Sequence, residues 1–269
     1  GGQGPAGPDV GRGTPKAGGG GASPIALAGD PGEPVTVTGA IYGFYLRAKS
    51  HVTVRGFNVT GTSGIGIYAK GSSHVVVDAN HVSYAGQPTS SYTARGITLT
   101  STTDSVISGN LVDHNSDSGI YVGSSSTRVT VVGNETTANA RGYTRAAPGI
   151  DIRSAGNTVV FNRSHHNEDS GIQIRTGGNN NLIAGNIVWL NGDHGIDVLQ
   201  STGNRILGNS ALHNVTSGHD VEGNSPVSPN TSIHNQINVD NGTKSPRNAR
   251  HIRLDSNSIP GTRTGRTLR

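Results

Sequence analysis

The chain contains no cysteine and no methionine, and only 4% of its 269 residues are aromatic. Without cysteine there is neither a disulfide framework nor a thiolate metal site. No apolar run approaches the roughly 20 residues that span a bilayer as a helix, so no membrane partner is expected. Charged residues are scarce as well, at 14%, and apolar residues reach only 31%. Amphipathic helices need long charged and aliphatic side chains, so a helical globule is disfavoured. The net charge of +4 is modest. Its basic excess gathers near the C-terminus in "SPRNARHIRLDSNSIPGTRTGRTLR". No basic stripe interleaved with aromatics runs through the middle, so no nucleic-acid partner is expected. With no methionine, an export signal would lie outside this chain, and a secreted, bacterial setting suits the composition.

What is present is glycine, 41 residues of it, with Val, Ile, Thr, Ser and Asn. That mixture favours many short strands joined by tight turns. The sequence also repeats. Gly-Ile recurs at Gly64, Gly96, Gly119, Gly149, Gly171 and Gly195, with a degenerate Gly218-His219; the short spacings are 23, 22, 24 and 23 residues and the long ones 32 and 30. Between these lie apolar runs such as "HVVVD", "RVTVV" and "NRILG", each followed by an asparagine: Asn80, Asn110, Asn134, Asn162, Asn186, Asn209 and Asn235. Five residues later a second column runs through Asn115, Asn139, Asn167, Asn191 and Asn214. Each unit reads as three short strands and three turns, stacked in parallel at about 4.8 Å per coil. The expected fold is all-β, a right-handed parallel β-helix of about eight coils of roughly 22–24 residues. A Gly-rich segment over 1–24, the solenoid over 25–258 and a basic tail over 259–269 are the expected divisions.

The "GI-x-V … V-x-GN-x-[IV]" pattern resembles right-handed parallel β-helix repeat proteins, which include pectate lyases, alginate epimerases and related exported enzymes. The likeness covers about residues 40–255.

Two insertions, 85–95 and 140–148, fall at one phase just before the Gly-Ile strand, where they would wall its outer face. They carry Tyr92 with Arg95 and Tyr143 with Arg145. Alternation along the strand then assigns the outward residues. The first outward column is expected to run Tyr45, Gly66, Thr98, Tyr121, Asp151, Gln173, Asp197 and Asp220. The second is expected to run Arg47, Tyr68, Thr100, Gly123, Arg153, Arg175, Leu199 and Glu222. One half is aromatic and hydroxylic, the other acid and arginine, as suits a groove for an acidic polysaccharide. Tyr92, Tyr121, Tyr143, Arg145, Asp151 and Gln173 are its expected substrate contacts.

"NEDSGIQI" (167–174) and "NGDHGIDV" (191–198) place Asp169 and Asp193 one coil apart, with Asp197 on the outward side of the next strand. Carboxylates brought so close repel unless a proton or cation joins them, and all-oxygen donors point to Ca²⁺. The plainer role is turn capping, which Asp117 illustrates at the same phase. "NGDHGIDV" is also similar to the calcium-binding segment of family-9 pectate lyases. That resemblance implies Asp169, Asp193 and Asp197 as calcium ligands, with His194 where an aspartate is usual. The lysine base of those enzymes has no counterpart, since no lysine occurs between Lys70 and Lys244. His194 and Arg175 are the remaining candidates for the base, and Arg153 and Arg175 for binding carboxylates bidentately. His165 and His166, just before Asp169, are further imidazoles that could reach this face. The expected activity is calcium-assisted β-elimination by a monomer. A hydrolase using Asp151, Asp193 and Asp197, a C5-epimerase and a non-catalytic scaffold are the alternatives.

Overall fold

The computed structural model describes residues 23–86, 93–123, 125–142 and 146–221, together with the backbone of three further strands at Asn230–Ile233, Ile237–Asp240 and Ile252–Leu254. Among these residues there is no helix. Short strands wind into three parallel sheets of eight, ten and nine strands. Sheet 1 runs from Ile25–Ala28 to Arg205–Leu207, sheet 2 from Val35–Thr38 to Ile252–Leu254, and sheet 3 from Phe44–Arg47 to Ile237–Asp240. Every strand pairing among the described residues is parallel and joins equivalent positions of successive coils, such as Ile120 with Ile150 and Ile150 with Ile172. The parallel β-helix is thus borne out.

The low apolar content suffices because a solenoid interior is only a few side chains wide. Ile97, Ile120, Ile150, Ile172 and Ile196 stack in one inward column of sheet 3, all fully buried. Val and Ile from sheets 1 and 2 meet them. Each such side chain contributes roughly 1.5–3 kcal/mol through burial.

The asparagine columns resolve what a narrow core cannot, the turn backbone. Asn110 Nδ2 donates to Asn134 Oδ1 at 2.9 Å and to the Val77 carbonyl of the preceding coil at 2.9 Å. Its backbone N–H also donates to Asn134 Oδ1, at 2.9 Å. The pattern continues through Asn162, Asn186 and Asn209. The second column, Asn115 to Asn214, is built the same way. A third ladder, Asn157–Asn181–Asn204, precedes sheet 1 and was not anticipated. All three satisfy buried backbone groups that would otherwise be orphaned.

The first repeat needs correcting. "SGIGIY" contains two Gly-Ile pairs, and it is Ile67, after Gly66, that pairs with Ile97 and Phe44. Tyr68 therefore takes the place assigned to Gly66, and Lys70 the place assigned to Tyr68. Asn235 lies outside the described residues.

Candidate functional site

The corrected outward column of sheet 3 reads Tyr45, Tyr68, Thr98, Tyr121, Asp151, Gln173, Asp197 and Asp220 along the axis. Arg47, Lys70, Thr100, Gly123 and Arg153 form the column beside it. Gly123 has a local reason. A Cβ there would lie 2.6 Å from Tyr121 Cε1, so only glycine lets the Tyr121 ring lie flat along its own strand. Arg95 stacks on that ring at 4.1 Å, and Arg153 lies 5.7 Å from it. Arg95 sits at the end of the first insertion and also reaches Asp117 at 3.7 Å. Tyr92, Tyr143 and Arg145 lie outside the described residues.

Asp151 is fully buried beneath Arg153, which donates from Nη2 to Oδ2 at 2.9 Å and from Nε at 3.0 Å. Burial pushes the Asp151 carboxyl up, against the pull of Arg153. One coil further on, Gln173 relays between charges. Its Nε2 donates to Asp197 Oδ2 at 2.6 Å, and its Oε1 accepts from Arg175 Nε. Arg175 Nη2 is anchored on the Ala146 carbonyl at 2.8 Å, at the foot of the second insertion.

Asp197 is 2% exposed. Its Oδ1 is buried with no hydrogen-bond partner among the described residues. Burial, with the charges of Asp220, Asp169 and Asp193 adding to it, pushes this carboxyl up to about 8. The donor atoms that gather here belong to His194, Asp197 and Asp220, all within 4.8 Å of one another. His194 Nε2 lies 3.4 Å from Asp193 Oδ1 and 3.8 Å from Asp220 Oδ2, while its Nδ1 faces the Ser217 N–H at 3.3 Å. Asp169, expected as a third carboxylate of this cluster, accepts at Oδ1 from Ser170 N–H (2.5 Å) and Oγ (2.7 Å). Asp117 does the same with Ser118. His194 occupies the turn position held by those serines, which brings an imidazole into the cluster. Asp220 extends the expected set; the signal for it was the degenerate repeat "SGHDV", whose aspartate stands in phase with Asp197.

A buried carboxylate oxygen with no donor, surrounded by like charges, fits a hard divalent cation as its missing partner. The residues at hand are Asp197 and Asp220, with Asp193, Asp169 and the His194 imidazole beside them.

The other imidazoles turn away. His165 belongs to sheet 2, where it stacks on Trp189 at 4.0 Å and meets Glu135 Oε1 at 3.1 Å, so it does not join the sheet 3 face. Within sheet 3, His219 points inward in the isoleucine column. It is fully buried with neither ring nitrogen hydrogen-bonded among the described residues.

The chain belongs to the right-handed β-helix family, whose model matches residues 35–144 and 143–259. Comparison with curated protein sequences finds no match. Among solved structures, the chain is similar to the periplasmic alginate epimerase AlgG, with 19% identity, a TM-score of 0.57, and coverage of 81% of this chain and 47% of that one. Pectate lyase Pel9A gives 16%, 0.56, and coverage of 89% and 60%. The Dettilon tailspike protein gives 18%, 0.54, and coverage of 75% and 48%. The chain thus spans about half to three-fifths of these proteins, and the likeness is one of fold. No helix among the described residues is long and apolar enough to cross a membrane.

Proposed function

We propose that this chain is an exported carbohydrate-active β-helix that binds an acidic, uronic-acid polysaccharide along the outer face of sheet 3 and cleaves it by calcium-assisted β-elimination. The observation that carries this reading is the buried, partnerless Asp197 oxygen among Asp220, Asp193, Asp169 and His194, one coil from Arg175 and two from Arg153. Two fold neighbours are named for alginate and pectate, both acidic polysaccharides, which supports the substrate class.

Bound at the aspartates, Ca²⁺ would neutralise a substrate carboxylate and so acidify the proton beside it. Arg153 and Arg175 supply N–H donors to neighbouring uronates, Arg153 held by Asp151 and Arg175 by Gln173 and Ala146. Tyr121, lying over Gly123 and covered by Arg95, holds that guanidinium on the same face as Arg153. In β-elimination a base takes the proton next to the carboxylate. The freed electron pair becomes a C=C bond, and the glycosidic C–O bond breaks, the leaving oxygen taking a proton from water. His194 and Arg175 are the two candidate bases. Ser217 N–H donates to His194 Nδ1, so the neutral ring carries its proton on Nε2, toward Asp193 and Asp220, and His194 acts as a base at Nδ1 only when the Ser217 contact opens. Arg175 has Nε and Nη2 committed, leaving Nη1. An imidazole base gives a rate that rises through neutral pH, whereas a guanidine base acts only in strong alkali.

Incubation with pectate, alginate and glycosaminoglycans, with and without chelator, tests the reading through the ultraviolet absorbance of unsaturated ends. Chelator-sensitive absorbance is expected. Reducing ends formed without absorbance would instead favour a hydrolase, a reading that one observation supports. A carboxyl pushed up to about 8, like that of Asp197, is a general acid at neutral pH when no cation is bound.

A further inference from the structure

We propose a second, distal subsite for the same polymer at the opposite end of sheet 3, formed by Tyr42, Tyr45 and Tyr68 and edged by Arg47 and Lys70. This rests on the uronate reading of the acid cluster. Tyr45 and Tyr68 stack with centroids 5.2 Å apart and planes 22° from parallel, and Tyr42 closes the group at 5.0 Å from Tyr45 and 5.8 Å from Tyr68. All three lie on the surface rather than in the core, and Tyr45 is 42% exposed. Arg47 and Lys70 are neighbours in register, exposed, and meet no carboxylate among the described residues. Four other arginines do, Arg55 with Asp78, Arg95 with Asp117, Arg128 with Asp104 and Arg153 with Asp151, while the exposed Arg141, Arg163 and Arg205 resemble Arg47 in this. Neither strand of this patch, Phe44–Arg47 or Ile67–Lys70, holds an acid.

An aromatic stack with one exposed and two half-buried rings, bordered by cations that meet no carboxylate among the described residues, suits a ligand with both a C–H face and a negative charge on each unit. A polyuronate has both. Sugar faces lie against tyrosine rings, and the carboxylates meet Arg47 and Lys70. The spacing also fits. Five coil steps separate Tyr68 from Asp197, through Thr98, Tyr121, Asp151 and Gln173. At about 4.8 Å per coil that is roughly 24 Å, so a chain laid along the axis at about one ring per coil needs about six rings to touch both ends. Shorter oligomers reach only one.

The test is calorimetry of the full chain with oligouronates of about four and about eight rings, for the wild type and two double variants, Tyr45→Ala/Tyr68→Ala and Arg47→Gln/Lys70→Gln. The wild type is expected to bind the longer oligomer about tenfold more tightly than the shorter. Both double variants should lose that gain while keeping the shorter oligomer's affinity and the wild-type melting temperature. A length gain that survives in both variants, or its absence in the wild type, overturns the subsite. Failure of turnover with the length gain intact would refute the lyase reading alone. Failure of both oligomers to bind would remove both readings.

Discussion

Replacing Asp197 with asparagine should remove a pH-dependent loss of stability from one identifiable window. The Asp197 carboxyl sits at about 8 in the folded chain against an ordinary 3.8, chiefly through burial and then through Asp220, Asp169 and Asp193. Its folded state therefore holds a proton that the unfolded chain has released. The stability tied to that proton is fully present below about pH 4 and is lost progressively as the pH rises to about 8. At about 1.4 kcal/mol per pH unit, the ceiling is on the order of 5 kcal/mol, and relaxation around the group leaves a few. The Asp197→Asn side chain cannot ionise, yet its amide oxygen can still accept from Gln173 Nε2, the donor now 2.6 Å from Asp197. Urea melts at about pH 5 and about pH 8.5 in chelator should show the variant gaining a few kcal/mol on the wild type between the two. With millimolar calcium at the higher pH the order should invert, because only the wild type offers the anionic ligand. Parallel stability–pH curves for the two proteins, unaffected by the cation, would sink both the buried-acid and the cation reading.

Other expectations are simpler. His194→Asp replaces an imidazole with a hard oxygen donor in the cluster, so it should raise calcium affinity about tenfold and lower that for Zn²⁺, measured by competition binding. Gly171→Ala would place a Cβ 2.8 Å from Asn191 Nδ2, 2.8 Å from the Gly195 carbonyl and 2.9 Å from Val188 Cβ. It should cost about 1–3 kcal/mol in a denaturant melt, and no loss would mean that the coils are packed more loosely than described. His219→Ile substitutes an apolar side chain for a fully buried imidazole that burial holds down to about 4. Continuing the isoleucine column should stabilise the fold by about 1–2 kcal/mol, and destabilisation would reveal a polar partner for His219.

Much of the architecture can be read along the chain because a solenoid converts period into contact. Residues one repeat apart become neighbours, so the recurrence of Gly-Ile and asparagine specifies both parallel stacking and the inward isoleucine column. The same logic makes Asp151, Gln173, Asp197 and Asp220 successive rungs of one outward column. It fails where the repeat is ambiguous. "SGIGIY" offers two registers two residues apart that keep the same faces, and only pairing with Phe44 and Ile97 selects Gly66-Ile67. It also fails across turns. His165 lies four residues before Asp169, yet the chain bends between them and places it on another sheet, against Trp189.

Sequence alone determined the period, the sheet-forming strands and the side of the strand each residue takes, since these depend on local alternation and on equivalence between coils. Tertiary structure decided which side chains from different phases converge: His194 from a turn with Asp197 and Asp220 from two strands, and Gln173 between Arg175 and Asp197. Those meetings depend on turn direction and rotamer, which no repeat encodes. The burial that leaves one Asp197 oxygen without a donor exists only once the coils are closed around it.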